Sequence, residues 1–367
     1  MSPSHNKWYK QFARGGLEAV RSDIGVELYN FCQVHDDGVV GNGGMRIANI
    51  GPPGSGKTTW ALDFLPRIHS INGVPKQVFF KHPDKQDWNL EQETIIYRGR
   101  RRDYWNAYHP KYYKLCFPMR RPRQLKVFIF KDDDITFIEE SAESGISNPI
   151  DNLDIYRYTT QSDLYGNLIE GGINVIYPPN NYYLSPELMK TVNEMMMKSE
   201  DDKTFYRPGD NILVKKEVFW YDLFYFLIDI DKNFDNKDDT RRKIRWITFF
   251  LDEAHEIFPN SVPKPFWYLV DDFADHALID TRRINLTIIA NIHATNLVYY
   301  KVLQRFGHFV WLSGSKPKSS YSLISRELTQ HLPTGWFLIE QAGKKFGKMQ
   351  FSRIPNQPYT VLAKGIT

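Results

Sequence analysis

Cysteine is scarce in this sequence: Cys32 and Cys116 are the only two among 367 residues. Two thiols cannot complete a zinc site by themselves and suggest no disulfide framework, so a reducing interior is the expected setting. Long apolar runs are missing too. The most apolar stretches, 219–230 and 246–251, are too short or too interrupted to cross a bilayer, and no stable membrane insertion is expected. Met1-Ser-Pro-Ser-His-Asn-Lys7 lacks the charged-then-apolar layout of a secretory signal. The expected location is therefore the cytoplasm, a host's cytoplasm if the chain is viral. No internal repeat is evident. Nor does one charge dominate: 47 Lys and Arg against 43 Asp and Glu leave a formal +4, so basicity has to be sought locally. The remaining composition, 42% hydrophobic and 25% charged, is that of a globular protein.

What the sequence does contain is one decisive stretch, Gly51-Pro52-Pro53-Gly54-Ser55-Gly56-Lys57-Thr58-Thr59. It follows a short apolar run, 45–50, and precedes a helix-like segment, 60–65. This is the strand, glycine-rich turn and helix of a phosphate-binding P-loop. The glycines let successive N–H groups face a phosphate chain, and the helix start adds its positive dipole end. Lys57 is expected to reach the β- and γ-phosphates of ATP, and the Thr58 hydroxyl to ligate Mg²⁺.

A second motif supplies the opposite half of such a site. Arg245-Trp-Ile-Thr-Phe-Phe-Leu-Asp252-Glu253-Ala-His255 reads as a strand buried on both faces that ends in two acids. Asp252 is placed to hold a water of the Mg²⁺ shell, and Glu253 to polarise the water that attacks the γ-phosphate. The adjacent Glu points to ATP hydrolysis rather than to a kinase. Although Asp252–His255 spells DEAH, no second helicase domain with its arginine motif follows.

Along the rest of the chain, residues 17–32 have the spacing of an amphipathic helix. Gln77–Lys81 reads as a strand, as do Gly172–Tyr177, Leu286–Ile292 and Phe309–Leu312. Ser185-Pro186 starts a helix whose apolar face is Leu188, Met189, Val192 and Met196; 217–230 reads as another helix. Trp336–Glu340 with Lys348–Ser352 reads as a terminal hairpin. The expected fold is α/β: a mainly parallel sheet flanked by helices. The expected division is an N-terminal helical segment (1–44), a P-loop ATPase core (45–97 and 171–354), an inserted segment (98–170) and a tail (355–367).

The P-loop region and 244–354 together resemble the HerA/FtsK superfamily of ring-shaped DNA translocases and their zonula-occludens-toxin-like relatives. The resemblance is carried by Ile257-Phe-Pro259 after the acidic pair, by Thr281-Arg282-Arg283-Ile284-Asn285 leading into Leu286–Thr295, and by the terminal hairpin. It implies a RecA-like core, a homo-oligomeric ring of hexamer type, and double-stranded DNA as partner. Genome packaging is the first role implied, with plasmid conjugation or virion extrusion beside it and a capsid or secretion portal as further partner. Arg282 falls on the position of a trans-acting arginine, with Arg283 competing. His293 falls on a sensor position usually held by Gln. Two other readings stay open: an assembly ATPase that does not pump DNA, and an AAA+-type ring, in which Asn291 is the sensor and Arg305-Phe306 follows on the next helix.

A DNA surface is sought in 98–126, which is dense in Arg and Lys with Asp103 its single acid. Arg98, Arg100, Arg101, Arg102, Arg120, Arg121 and Arg123 are the expected phosphate contacts. The interleaved Tyr104, Trp105, Tyr108, Tyr112, Tyr113 and Phe117 are the expected stacking platform. Lys344, Lys345 and Lys348 form a lesser candidate patch.

Overall fold

The computed structural model describes residues 28, 34–35, 44–67, 69–70, 93–118, 122–140, 150, 152–198, 217–233, 240–241, 244, 247–262, 264–281, 286–351 and 360–366. Its frame is a ten-stranded sheet. In chain order the first pieces are β1 (Arg46–Ile50), α1 (Lys57–Phe64), β2 (Thr94–Arg98), β3 (Arg102–Asp103), β4 (Leu125–Phe130) and β5 (Thr136–Glu140). Next come β6 (Ile155–Tyr158), β7 (Ile173–Ile176), α2 (Pro186–Lys198), α3 (Val218–Lys232), β8 (Ile247–Leu251) and α4 (Lys264–Asp272). The chain finishes with β9 (Leu286–Ile292), β10 (His308–Leu312), β11 (Trp336–Gln341), β12 (Lys345–Gln350) and β13 (Thr360–Lys364).

The strand order across the large sheet is β12-β11-β10-β1-β9-β8-β2-β7-β4-β6. Every pairing from β10 to β6 is parallel; the β10–β11 and β11–β12 pairings are antiparallel. The α/β class and the terminal hairpin are thus as the sequence implies. β9 is inserted between the phosphate-loop strand β1 and the acidic strand β8.

The central strands are apolar throughout because both faces are covered, and alternate residues feed two separate cores. Ala48, Phe249 and Ile288 point into one, with Leu188, Met189, Val192 and Met196 of α2 and Phe219, Trp220 and Phe224 of α3. Ile47, Phe250 and Ile289 point into the other, with Trp60, Ala61 and Phe64 of α1. Trp60 stacks on Phe64 at 4.7 Å between ring centroids and meets Phe337 of β11 edge-on, which ties the first helix to the closing hairpin. At α2, Ser185 Oγ accepts from Leu188 N at 3.3 Å and Pro186 opens the first turn, as its sequence requires.

The structure adds detail to the division expected from the sequence. The stretch 98–170 is not a block set on the core: β4 and β6 continue the main sheet beyond β7 in parallel register. Within the tail, β13 is the central strand of a three-stranded antiparallel sheet between β3 and β5. Strand β2, absent from the sequence reading, pairs with β8 on one side and β7 on the other. The helix expected over 17–32, apart from Leu28, and the strand expected over 77–81 lie outside the described residues. No described helix is long and apolar enough to cross a membrane.

Candidate nucleotide site at the strand tips

Parallel strands all end at the same edge of a sheet, so β1, β9, β8 and β2 deliver their C-terminal residues side by side. From β1 the chain turns through Gly51–Gly56 into α1. Gly51 N donates to Ile292 O at 3.1 Å, and Ser55 N donates to Pro52 O at 3.2 Å, closing the turn. Gly56 takes φ +95°, and a Cβ there would lie 2.7 Å from Phe351 Cζ, so both conformation and space demand glycine. The first-turn N–H groups of α1 have no intrahelical acceptors and face the same side. Beside the turn a cleft of about 480 Å³ opens against Thr334, Gln350 and Phe351.

Lys57 is buried, and its ammonium donates back to Gly51 O at 2.6 Å and Pro52 O at 3.2 Å. Its third contact is His293 Nδ1 at 3.0 Å. Across the ring, His293 Nε2 stands 2.7 Å from Glu253 Oε2. A lysine ammonium can only donate, so Nδ1 accepts, Nε2–H donates to the carboxylate, and the imidazole between them is neutral. Burial and the nearby Lys57 charge both hold the His293 pKa below its ordinary value, which agrees with that tautomer. Burial pulls the Lys57 ammonium down to about 8, opposed by the Asp252 charge. One continuous chain, Lys57–His293–Glu253, therefore crosses the strand tips.

A parallel chain lies alongside it. Asn49 Nδ2 donates to Lys57 O at 3.2 Å and to Asn291 Oδ1 at 2.7 Å, and Asn291 Nδ2 donates to Asp252 Oδ1 at 2.9 Å. Asn49 and Asn291 are fully buried. Both residues weighed as sensors thus reach the acidic pair, Asn291 at Asp252 and His293 at Glu253.

Glu253 has φ +52° and ψ +47°, the left-handed region that a non-glycine residue enters at a cost of roughly 1–3 kcal/mol. What holds it there is Arg98, at the tip of β2. Its Nη1 donates to Asp252 O at 2.8 Å and to Glu253 O at 3.1 Å, while Nη2 meets Glu256 Oε2 at 2.6 Å. Arg100 adds contacts to Glu253 Oε1 (3.3 Å) and Glu256 Oε1 (3.0 Å). His255 Nδ1 lies 3.4 Å from Glu253 Oε2.

The basic block is largely redirected. Arg98 and Arg123 are buried: Arg98 grips the acidic turn, and Arg123 Nη1 donates to Glu93 O at 3.1 Å. Neither guanidinium is presented to a DNA backbone. Trp105, Tyr108, Tyr112, Tyr113 and Phe117 are buried as well, most of them in the α1-side core, so they are packing residues and not a stacking platform. Lys348 is buried with its ammonium over the Trp336 ring at 4.6 Å. Arg101 and Arg102 are exposed, and Arg102 pairs with Glu140 at 2.7 Å. Arg120, Arg121, Arg282 and Arg283 lie outside the described residues. Arg305 is engaged by Asp275 at 3.3 Å and by Ala274 O at 3.2 Å.

Comparison with known proteins gives no matching family profile and no matching curated protein. Among solved structures, the genome-packaging NTPase B204 of Sulfolobus turreted icosahedral virus 2, bound to AMPPCP, aligns at TM-score 0.40 and 12% identity. That alignment covers 85% of this chain and 99% of B204. The N-terminal domain of zonular occludens toxin from Neisseria meningitidis aligns at TM-score 0.29 and 9% identity, over 86% and 98% of the two chains. The cytoplasmic domain of the type VII secretion ATPase EccC from Thermomonospora curvata aligns at TM-score 0.32 and 10% identity, over 85% of this chain and 24% of EccC. What the site can do follows from its own side chains.

Proposed function

We propose that this protein hydrolyses ATP and couples that reaction to the movement of double-stranded DNA, acting as a homo-oligomeric ring of hexamer type in viral genome packaging or mobile-element transfer. The observation that carries the ATPase reading is the Lys57–His293–Glu253 chain, which spans from the phosphate turn to the acidic strand. ATP entering between them takes Lys57 from the loop carbonyls onto its β- and γ-phosphates. Glu253 then has the position of a base toward a water beyond the γ-phosphate, with His293 reporting the state of Lys57 to it. The cleft beside Phe351 and Gln350 is where the nucleoside is held.

The residues present suit Mg²⁺. Among the described residues no group of three His, Cys, Asp or Glu gathers as a cage, whereas one hydroxyl (Thr58) and one carboxylate (Asp252, oriented by Asn291) are the hard oxygen donors this ion shares with phosphates. When bound it neutralises charge building on the phosphate oxygens. Arg282, the trans arginine implied by the superfamily resemblance, remains part of the proposal, as do Arg101, Arg102, Arg120 and Arg121 as phosphate contacts.

A second reading, an assembly ATPase that does not pump DNA, is favoured by one observation: five of the six aromatics meant for stacking, and two of the arginines, are buried. ATP turnover with and without duplex DNA separates the two. Translocation predicts Lys57-dependent turnover that DNA raises several-fold; the assembly reading predicts the same turnover unmoved by DNA. Turnover that survives Lys57→Ala overturns both.

A further inference from the structure

Arg100 is shared between two places. It stands over the acids, 3.3 Å from Glu253 Oε1 and 3.9 Å from Asp252 Oδ2, with Glu256 at 3.0 Å. It also lines, with Arg101, Arg102 and Glu140, a cleft of about 350 Å³ on the outer side, and its side chain keeps 28% exposure. Resting on the ATPase reading above, we propose that Arg100 is a latch on Glu253, released when a nucleic-acid backbone phosphate enters the cleft that Arg100 shares with Arg101 and Arg102.

Both oxygens of Glu253 are engaged, Oε2 by His293 and Oε1 by Arg100. A guanidinium held there competes by charge and by geometry with the water that Glu253 has to polarise. Arg100 is not needed to shape the acidic turn, because Arg98 already grips the backbone carbonyls of Asp252 and Glu253. The backbone that bears Arg100 is fixed on three sides. Gly99 N donates to Ile176 O at 2.8 Å, Arg100 N to Asp103 Oδ2 at 2.7 Å, and Ala363 N to Arg101 O at 2.8 Å. Movement is thereby confined to the Arg100 side chain, whose flat fork suits a phosphate as well as a carboxylate. The cations at 100–102 concentrate an anion in the cleft. DNA at the outer surface would in this way free the base at the inner one.

The test uses the full chain, with ATP turnover measured without and with duplex DNA. Arg100→Ala is expected to raise the DNA-free rate about fivefold and to leave DNA adding less than about twofold. The double change Arg101→Ala/Arg102→Ala is expected to lose stimulation by the opposite route, a lower rate in the presence of DNA. If Arg100→Ala lowers both rates in proportion, Arg100 is a strut or a charge stabiliser and the latch is overturned. An unaltered stimulation ratio in either variant, or a wild-type rate that DNA does not move, overturns it as well. Should Arg100→Ala melt below the assay temperature, Arg100→Lys, which keeps the charge without the fork, is read by the same criterion. Loss of the ATPase reading is recognised separately, as wild-type turnover that is absent or survives Lys57→Ala.

Discussion

The bodies of β1, β8 and β9 and the tips of the same strands are built on opposite terms. In the bodies, Phe249, Phe250, Ile288 and Ile289 are apolar, buried and extended, and every neighbour favours the same state. A few ångströms on, the tips hold a buried lysine, two buried asparagines and a glutamate in left-handed conformation, joined into two hydrogen-bonded chains. The bodies supply stability and the tips spend some of it. A rigid sheet is what lets strained, charged groups be held at fixed separations without collapsing onto each other.

That contrast can be broken from the stability side first. Phe249→Ala empties a site between Phe224 and Trp220 and is expected to cost about 3–5 kcal/mol in denaturant unfolding while leaving nucleotide affinity of the folded fraction unchanged. Loss of nucleotide affinity in proportion to stability would show that bodies and tips are not separable. Glu253→Gln is the reciprocal case. Turnover should fall by about 10²–10⁴-fold with nucleotide still bound, and the melting midpoint should hardly move. Next in size is pH. Because burial leaves the Lys57 pKa at about 8 and phosphates raise it again on binding, the free protein must take up a proton to bind above that value. Affinity for an ATP analogue is therefore expected to be flat below about pH 7.5 and to fall up to tenfold per unit above pH 8. A flat profile to pH 9.5, by calorimetry in two buffers, would remove Lys57 from the contact. The smallest effect sharpens the contrast most. Glu253→Gly, inactive for want of a base, should be more stable than wild type by about 1 kcal/mol, since glycine adopts φ +52° without strain.

How far the sequence could be read follows the same division. The phosphate turn and the acidic pair are legible because each requires a fixed, short run of residue types, whereas His293 and Asn291 are reached only through the resemblance to known ring ATPases. Arg98 is expected on a DNA surface but grips the acidic turn, and Arg100 reaches Glu253 and Glu256 as well as lining the outer cleft. Their partners are carboxylates and carbonyls about 155 positions away, and only the unrecognised pairing of β2 with β8 brings them together. Likewise Trp105, Tyr108 and Tyr113 lie in a stretch rich in cations, a composition that suits a nucleic-acid platform. Composition does not record which way a ring points, and here the rings pack beneath the sheet while Lys111 and Lys114 face out.

The small three-stranded sheet carries a consequence for how the molecule is made. Its middle member, β13, is the last described strand, and without it β3 and β5 have no pairing to each other. On a translating ribosome the turn bearing Arg100 would therefore lack one of its three clamps, the Ala363 N to Arg101 O bond, until residue 364 has left the exit tunnel. Nascent chains would complete this edge of the strand-tip site only once that late strand has emerged, and a change that displaces it would report on the site from a distant part of the sequence.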